Sequence, residues 1–163
     1  MRLLLGALAA SFLMLLAAPS SARAVPDGPL RLYLEHLEPL GLSWPADGVV
    51  SDPFGMRWGR PHLGIDVGSL RSLEVRAAEP GTVTATGYLD GYSGYGNVVI
   101  VDVGDGFEVL YAHLSAAAVR PGQWVNEREL LGSAGCTGSC TGTHLHFELR
   151  RAGTPVDPAP FID

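Results

Sequence analysis

Asn97-Val98-Val99-Ile100-Val101-Asp102-Val103-Gly104-Asp105-Gly106-Phe107-Glu108-Val109-Leu110-Tyr111-Ala112 decides how this chain folds. Two runs rich in Val, Ile, Tyr and Phe, residues that suit a pleated, half-buried surface, flank Gly104-Asp105-Gly106. That tripeptide supplies the positive-φ conformations required by a tight turn between antiparallel strands. The stretch reads as a β-hairpin. Working outward, Glu74-Val75-Arg76-Ala77 and Thr82-Val83-Thr84-Ala85-Thr86 read as further strands. Pro80-Gly81, Asp90-Gly91 and Gly94-Tyr95-Gly96 carry turn chemistry. After Pro45 no stretch has the apolar period of a three-turn amphipathic helix. Residues 48–163 therefore imply an all-β domain, an antiparallel β-sandwich or open barrel. Neither a tandem repeat nor an internal linker interrupts it.

The start of the chain has a different character. Arg2 is followed by an apolar run from Leu3 to Ala18, and Ala22-Arg23-Ala24 is a small-x-small cleavage pattern. Residues 1–24 read as an export signal cleaved after Ala24. The run is shorter than the ~20 residues needed to span a bilayer, and no Cys follows it for lipid attachment, so a stable membrane anchor is not expected. Export to a periplasm or a medium is. Residues 25–47 form a proline-broken lead-in, with one short helix expected over 30–40 that ends near Pro39. His36, between Glu35 and Glu38, reads as a solvated surface histidine. Without the leader, nine arginines and no lysine face 17 acids, a net charge of −8. Such a chain has no basic surface to neutralise a phosphate backbone, which excludes nucleic acid as a partner.

Chemistry concentrates in the histidines. Thr143-His144-Leu145-His146-Phe147-Glu148-Leu149 alternates polar and apolar residues, placing His144, His146 and Glu148 on one strand face. Arg60-Pro61-His62-Leu63-Gly64-Ile65-Asp66-Val67 reads as extended chain, with His62, Gly64 and Asp66 on one face. Gly64 leaves room for close approach to the backbone. Two histidines and one carboxylate, with a fourth position left to water, are the ligand pattern of a catalytic zinc site; a structural site is closed by four protein ligands. Two histidines left over suit proton transfer. These residues alone do not choose between His144 and His146 as the second histidine ligand. Cys136 and Cys140, in an exported chain, read as a disulfide. The spacing Cys136-x3-Cys140-x3-His144 also suits a binuclear copper site, but the Met expected three residues after the His is Phe147 here. A closed Cys/His zinc site would leave His62 and Asp66 unexplained.

Further short motifs follow one another in order. They are Phe54-Gly55-Met56-Arg57, Val75-Arg76-Ala77-Ala78, Gly94-Tyr95-Gly96-Asn97, Tyr111-Ala112-His113-Leu114, Gly122-Gln123-Trp124-Val125, and Leu131-Gly132-Ser133-Ala134-Gly135. With His62-x3-Asp66 and His144-x-His146, they make the chain resemble the lysostaphin-type, or LytM-like, zinc metallopeptidases, which cut peptide bonds in bacterial peptidoglycan. The resemblance runs from about Ser51 to Ile162. It implies a cleft across an antiparallel sheet and one zinc ion per chain held by His62, Asp66 and His146. His113 and His144 are then the catalytic pair beside the attacking water. Peptidoglycan stems or cross-bridges are the implied partners of a monomer. Arg57 and Asn97 are the implied substrate contacts; for Arg57 a plain ion pair is the equal alternative. Some relatives lack the ligands and regulate cell-wall amidases, so an inert binding module is the competing class. Here the ligand set is complete. The chain departs from the family at Asn126-Glu127-Arg128-Glu129, which lacks the usual Gly and Gln, and at Ser69–Leu73, which lacks the usual Gly-x-Pro. It also departs at the two cysteines before His144, which the resemblance places in one wall of the cleft.

Overall fold

The computed structural model describes residues 40–163. The expected leader, the helix expected over residues 30–40 (Leu40 excepted) and His36 lie outside the described residues. Thirteen strands follow in chain order: β1 (Val49–Asp52), β2 (Gly55–Arg57), β3 (Arg60–His62), β4 (Ile65–Gly68), β5 (Glu74–Arg76), β6 (Gly81–Tyr88), β7 (Asn97–Gly104), β8 (Phe107–Ala112), β9 (Leu114–Ala117), β10 (Trp124–Val125), β11 (Leu130–Ala134), β12 (Leu145–Arg151) and β13 (Thr154–Val156). The only helical turn among the described residues is a 3₁₀ turn, Ala159–Phe161.

Every named strand pair is antiparallel. The main sheet runs β1-β4-β12-β8-β7-β6-β10, with β13 paired to the far end of β12; β5-β11-β9 form a second sheet and β2-β3 a separate hairpin. The all-β expectation holds, and the sheets do not close into a barrel. The hairpin read from residues 97–112 is β7–β8. Asp105 and Gly106 form its two-residue turn with φ of 51° and 75°, the left-handed pair that matches strand twist. Trp58-Gly59 and Ala152-Gly153 make β2–β3 and β12–β13 turns in the same way.

Strand alternation divides the molecule into two faces. Ile65, Val67, Val83, Val99, Val101, Val109, Tyr111, Leu145, Phe147 and Leu149 of the main sheet meet Val75, Leu114 and Leu131 of the second sheet in one core. Each fully buried aliphatic or aromatic side chain there contributes roughly 1.5–3 kcal/mol relative to exposure. The end of the lead-in joins this core: Leu42 is buried, bridges Ile162, and donates its N–H to the Phe161 carbonyl at 2.6 Å. On the opposite face Val98, Ile100, Leu110 and Ala112 form a smaller cluster under Tyr92 and Tyr95. The neighbouring positions on that face are His146, opposite both Asp66 and Ala112, and Glu148, opposite Leu110.

Residues 62–66 differ from the expectation of one continuous strand. β3 ends at His62 in the hairpin and β4 begins at Ile65 in the main sheet. The chain crosses between them where Gly64 lies against β12: a Cβ there would stand 2.3 Å from the Phe147 carbonyl oxygen. Contact between backbones, rather than strand pairing, bends this segment.

Candidate metal centre

Three donors converge above the face of β4 and β12. His62 Nε2 lies 3.1 Å from Asp66 Oδ1 and 3.1 Å from His146 Nδ1, and His146 Nδ1 lies 2.8 Å from Asp66 Oδ1. All three residues are buried. They come from the end of β3, from β4 and from β12. The register His146↔Asp66 places the last two side by side, and the bend at Gly64 brings His62 over them.

The outer nitrogen of each ring shows what the inner one can do. His62 Nδ1–H donates to the Pro53 carbonyl at 2.7 Å, and His146 Nε2–H donates to Glu148 Oε1 at 2.9 Å. Carbonyl and carboxylate oxygens only accept, so these contacts place the protons on the outer nitrogens and leave the inner lone pairs facing Asp66. His113 and His144 obey the same rule. Their Nδ1–H groups donate to the carbonyls of Thr137 and Gly142, each at 2.8 Å, which leaves both Nε2 atoms as acceptors. The His113 and His144 rings lie 4.7 Å apart, and His144 Nε2 is 3.6 Å from Asp66 Oδ1.

Electrostatics agree with this donor set. Burial pushes the His146 imidazole down, but Asp66 and Glu148 outweigh it and raise it above its ordinary value. Burial pushes the Asp66 carboxyl up, and positive charge on the facing rings, His146 first, holds it well below the usual carboxylate range; with the rings neutral, that charge is the place of a cation. Such a field favours a cation. His62, Asp66 and His146 are the one group of three metal-capable side chains found within ligating reach of one another among the described residues. Two neutral imidazoles and one carboxylate fit a zinc ion.

Glu148 is wholly buried and accepts from three donors: His146, Tyr95 Oη at 2.6 Å and Arg150 Nε at 2.7 Å. Its alternation with His146 was visible in the sequence; its partners Tyr95 and Arg150 were not. Sequence reading also missed the backbone carbonyls of Pro53, Thr137 and Gly142, which no motif marks. His113 has a left-handed backbone, φ 61°, uncommon for a residue with a Cβ and often found where function holds it. Its N–H donates to the Tyr95 carbonyl at 2.9 Å.

A cleft of about 530 Å³ opens over the centre; Asp52, Arg57, Trp58, Leu63 and Ser139–Thr143 are in its lining. Arg57 ion-pairs with Asp52 and reaches Asp66 Oδ2 at 3.2 Å. Asn97 is not brought to the cleft: it is absent from the lining, and its N–H donates to Thr137 Oγ1 at 2.9 Å. Cys136 and Cys140 are disulfide-bonded, with Cα atoms 5.5 Å apart.

The model of Peptidase family M23 matches residues 60–158, more than half of the chain. The chain belongs to peptidase family M23. This M23 chain is 42% identical over 116 residues to the DD-carboxypeptidase/endopeptidase Mpg of Neisseria meningitidis serogroup B, a match covering 67% of the chain and 26% of Mpg. It is 34% identical over 119 residues to the murein hydrolase activator NlpD of Salmonella typhimurium, covering 73% of the chain and 30% of NlpD. The chain thus spans about a quarter to a third of these relatives' lengths. Among solved structures, a mutant catalytic domain of the prophage-encoded M23 protein EnpA from Enterococcus faecalis superposes with a TM-score of 0.66 at 27% identity, covering 74% of this chain and 95% of that one. The antimicrobial peptidase lysostaphin from Staphylococcus simulans superposes with a TM-score of 0.65 at 26% identity, covering 76% and 53%.

Proposed function

We propose that this M23 chain is an exported zinc metalloendopeptidase that hydrolyses peptide bonds in bacterial peptidoglycan, with residues 48–163 as its peptidase domain. The observation that carries the reading is the orientation of four imidazoles. Each has its outer N–H bound to an acceptor-only oxygen, so four inner lone pairs and Asp66 face one space at the floor of a cleft. His62, Asp66 and His146 hold the metal. Zinc supplies Lewis acidity there, polarising the scissile carbonyl and acidifying water.

The chain's own groups do the rest. His144 Nε2, kept free of a proton by the Nδ1–H bond to Gly142, accepts the proton of the attacking water. His113 lines the same cleft, its ring 4.7 Å from that of His144. His144, now carrying that proton on Nε2, donates to the developing oxyanion and passes the proton to the leaving amine, which restores the neutral imidazole. Arg57, tied to Asp52 and Asp66, holds the Asp66 carboxylate in place and offers its remaining N–H groups to a substrate carboxylate.

The similarity to NlpD favours a second reading, a catalytically inert module that regulates cell-wall amidases; the complete donor set argues against it. Mass spectrometry of fragments released from purified peptidoglycan, with and without a zinc chelator, separates the two. Chelator-sensitive fragments with a new amino terminus are expected, and they name the bond that is cut. Zinc-loaded, folded protein that releases nothing, yet raises the activity of an added amidase, would select the regulator.

A further inference from the structure

We propose that the Cys136–Cys140 disulfide is a positioning device for catalysis. It fixes the Thr137 carbonyl that orients His113, so turnover depends on the thiol oxidation state while metal binding does not. This rests on the peptidase reading above.

Gly135 and His144 are bridged at the base of the loop that joins β11 to β12, the His144 N–H donating to the Gly135 carbonyl at 3.1 Å. Within that loop the disulfide closes a smaller ring containing only Thr137, Gly138 and Ser139. These three have no large apolar side chain to bury, and Gly138 and Ser139 are exposed. A segment of that composition lacks the packing that orders loops elsewhere. Covalent closure removes many of the alternative conformations open to it.

The ring is docked where order matters. His113 Nδ1–H donates to the Thr137 carbonyl at 2.8 Å, and Thr137 N–H points back at the His113 carbonyl at 3.5 Å. Thr137 Oγ1 accepts from the Asn97 N–H and donates to the Leu114 carbonyl, both at 2.9 Å. Ser139 N–H donates to the Gly94 carbonyl at 2.9 Å. Gly138 and Gly96 meet backbone to backbone: a Cβ on Gly138 would lie 2.4 Å from Gly96 N, and one on Gly96 would lie 2.4 Å from Thr137 C. The fit therefore requires one ring conformation. If the ring relaxes, His113 loses the acceptor that keeps its proton on Nδ1, and Nε2 is no longer reserved as an acceptor. The outward partners of His62 and His146 are Pro53 and Glu148, outside the ring, so the metal ligands keep their orientation.

The bond is accessible. Cys136 is exposed, and Cys140 is half-buried in the cleft wall. A small dithiol can exchange with it: the dithiol is oxidised to its own disulfide, the Cys136–Cys140 bond breaks, and each cysteine sulfur takes up one proton as a thiol.

The test compares the oxidised protein with the same protein reduced by dithiothreitol and freed of reductant, and with the double variant Cys136→Ser/Cys140→Ser. Three quantities are read: the imidazole ¹⁵N shifts of His113, zinc bound per chain, and kcat and KM on peptidoglycan fragments. Opening the ring is expected to turn His113 from a single Nδ1–H tautomer into a mixture and to lower kcat about tenfold or more. Zinc per chain is expected to stay constant, and KM to change little. Should the double variant not fold, the reduced protein, prepared from folded material, gives the same readings. An unchanged His113 tautomer with the ring open overturns the proposal. So does loss of zinc in proportion to activity, which would make the disulfide a general support only. If the oxidised protein releases no peptide at all, the peptidase reading fails, while the His113 shifts still decide whether the ring positions that ring nitrogen.

Discussion

Glu148 has no exposed surface, and both its oxygens are engaged, by His146 and Tyr95 on one and by Arg150 on the other. Glu148→Gln keeps the shape and removes the charge. An amide has one acceptor oxygen where the carboxylate has two, so a donor is orphaned whichever way it turns. Arg150 also loses its buried counter-charge. We expect destabilisation of about 3–5 kcal/mol by denaturant unfolding. A zinc affinity about 10–100-fold weaker is expected in competition with a chelating dye. His113 gives a second expectation at this scale. Burial, helped by the neighbouring His144 and His146, lowers its imidazole below its ordinary value, against the opposing pull of Thr137 and Asp66. A lowered value means the folded protein keeps His113 neutral at a pH where an unfolded histidine is already charged. Its stabilising contribution is full above pH ~6.5 and is lost as pH falls through the lower folded value. Titration of the His113 ring by NMR should therefore show a midpoint below that of a free histidine; a midpoint above it would contradict the burial account.

Among elements, the bend between β3 and β4 decides whether His62 reaches Asp66. Gly64→Ala puts a Cβ against the Phe147 carbonyl and the Glu148 side chain. It should cost about 1–3 kcal/mol by overpacking and lower zinc content as the hairpin is pushed off β12. A melting temperature and a metal analysis on one sample check both. The same bend shows where sequence reading stopped. The hairpin β7–β8 was legible because its alternation and its Asp-Gly turn are local signals. His62 and Asp66 were legible as residues, because donor type and spacing are local too. That they sit on different sheets was not, since the cause is Gly64 lying against a strand more than eighty residues later. The orienting carbonyls of Thr137 and Gly142 were hidden for a related reason: a backbone oxygen has no residue identity to read. His144 was read as part of the strand, whereas β12 begins at Leu145 and His144 stands just outside it, held to Gly135. Asn97, singled out by its motif, instead braces the loop through its N–H.

In the molecule as a whole, the centre joins β4 and β12, paired between Asp66 and His146 although 80 residues separate them, to the end of the β2–β3 hairpin that carries His62. An ion bound by all three favours the folded chain over the unfolded one, in which His146 is far from His62 and Asp66. Removing metal with a chelator should lower the melting temperature, and added zinc should restore it; at a free concentration 100 times Kd the gain is about 2.7 kcal/mol. An unchanged melting temperature would mean the three donors do not share one ion. The sheet order has a further consequence. β12 lies between β4 and β8, yet it is among the last strands in the chain. While the protein is still emerging from a ribosome, no strand yet joins β4 to β8, and Asp66 faces a gap where His146 will be. The three donors therefore cannot converge until residues 145–151 have been made and have paired between β4 and β8.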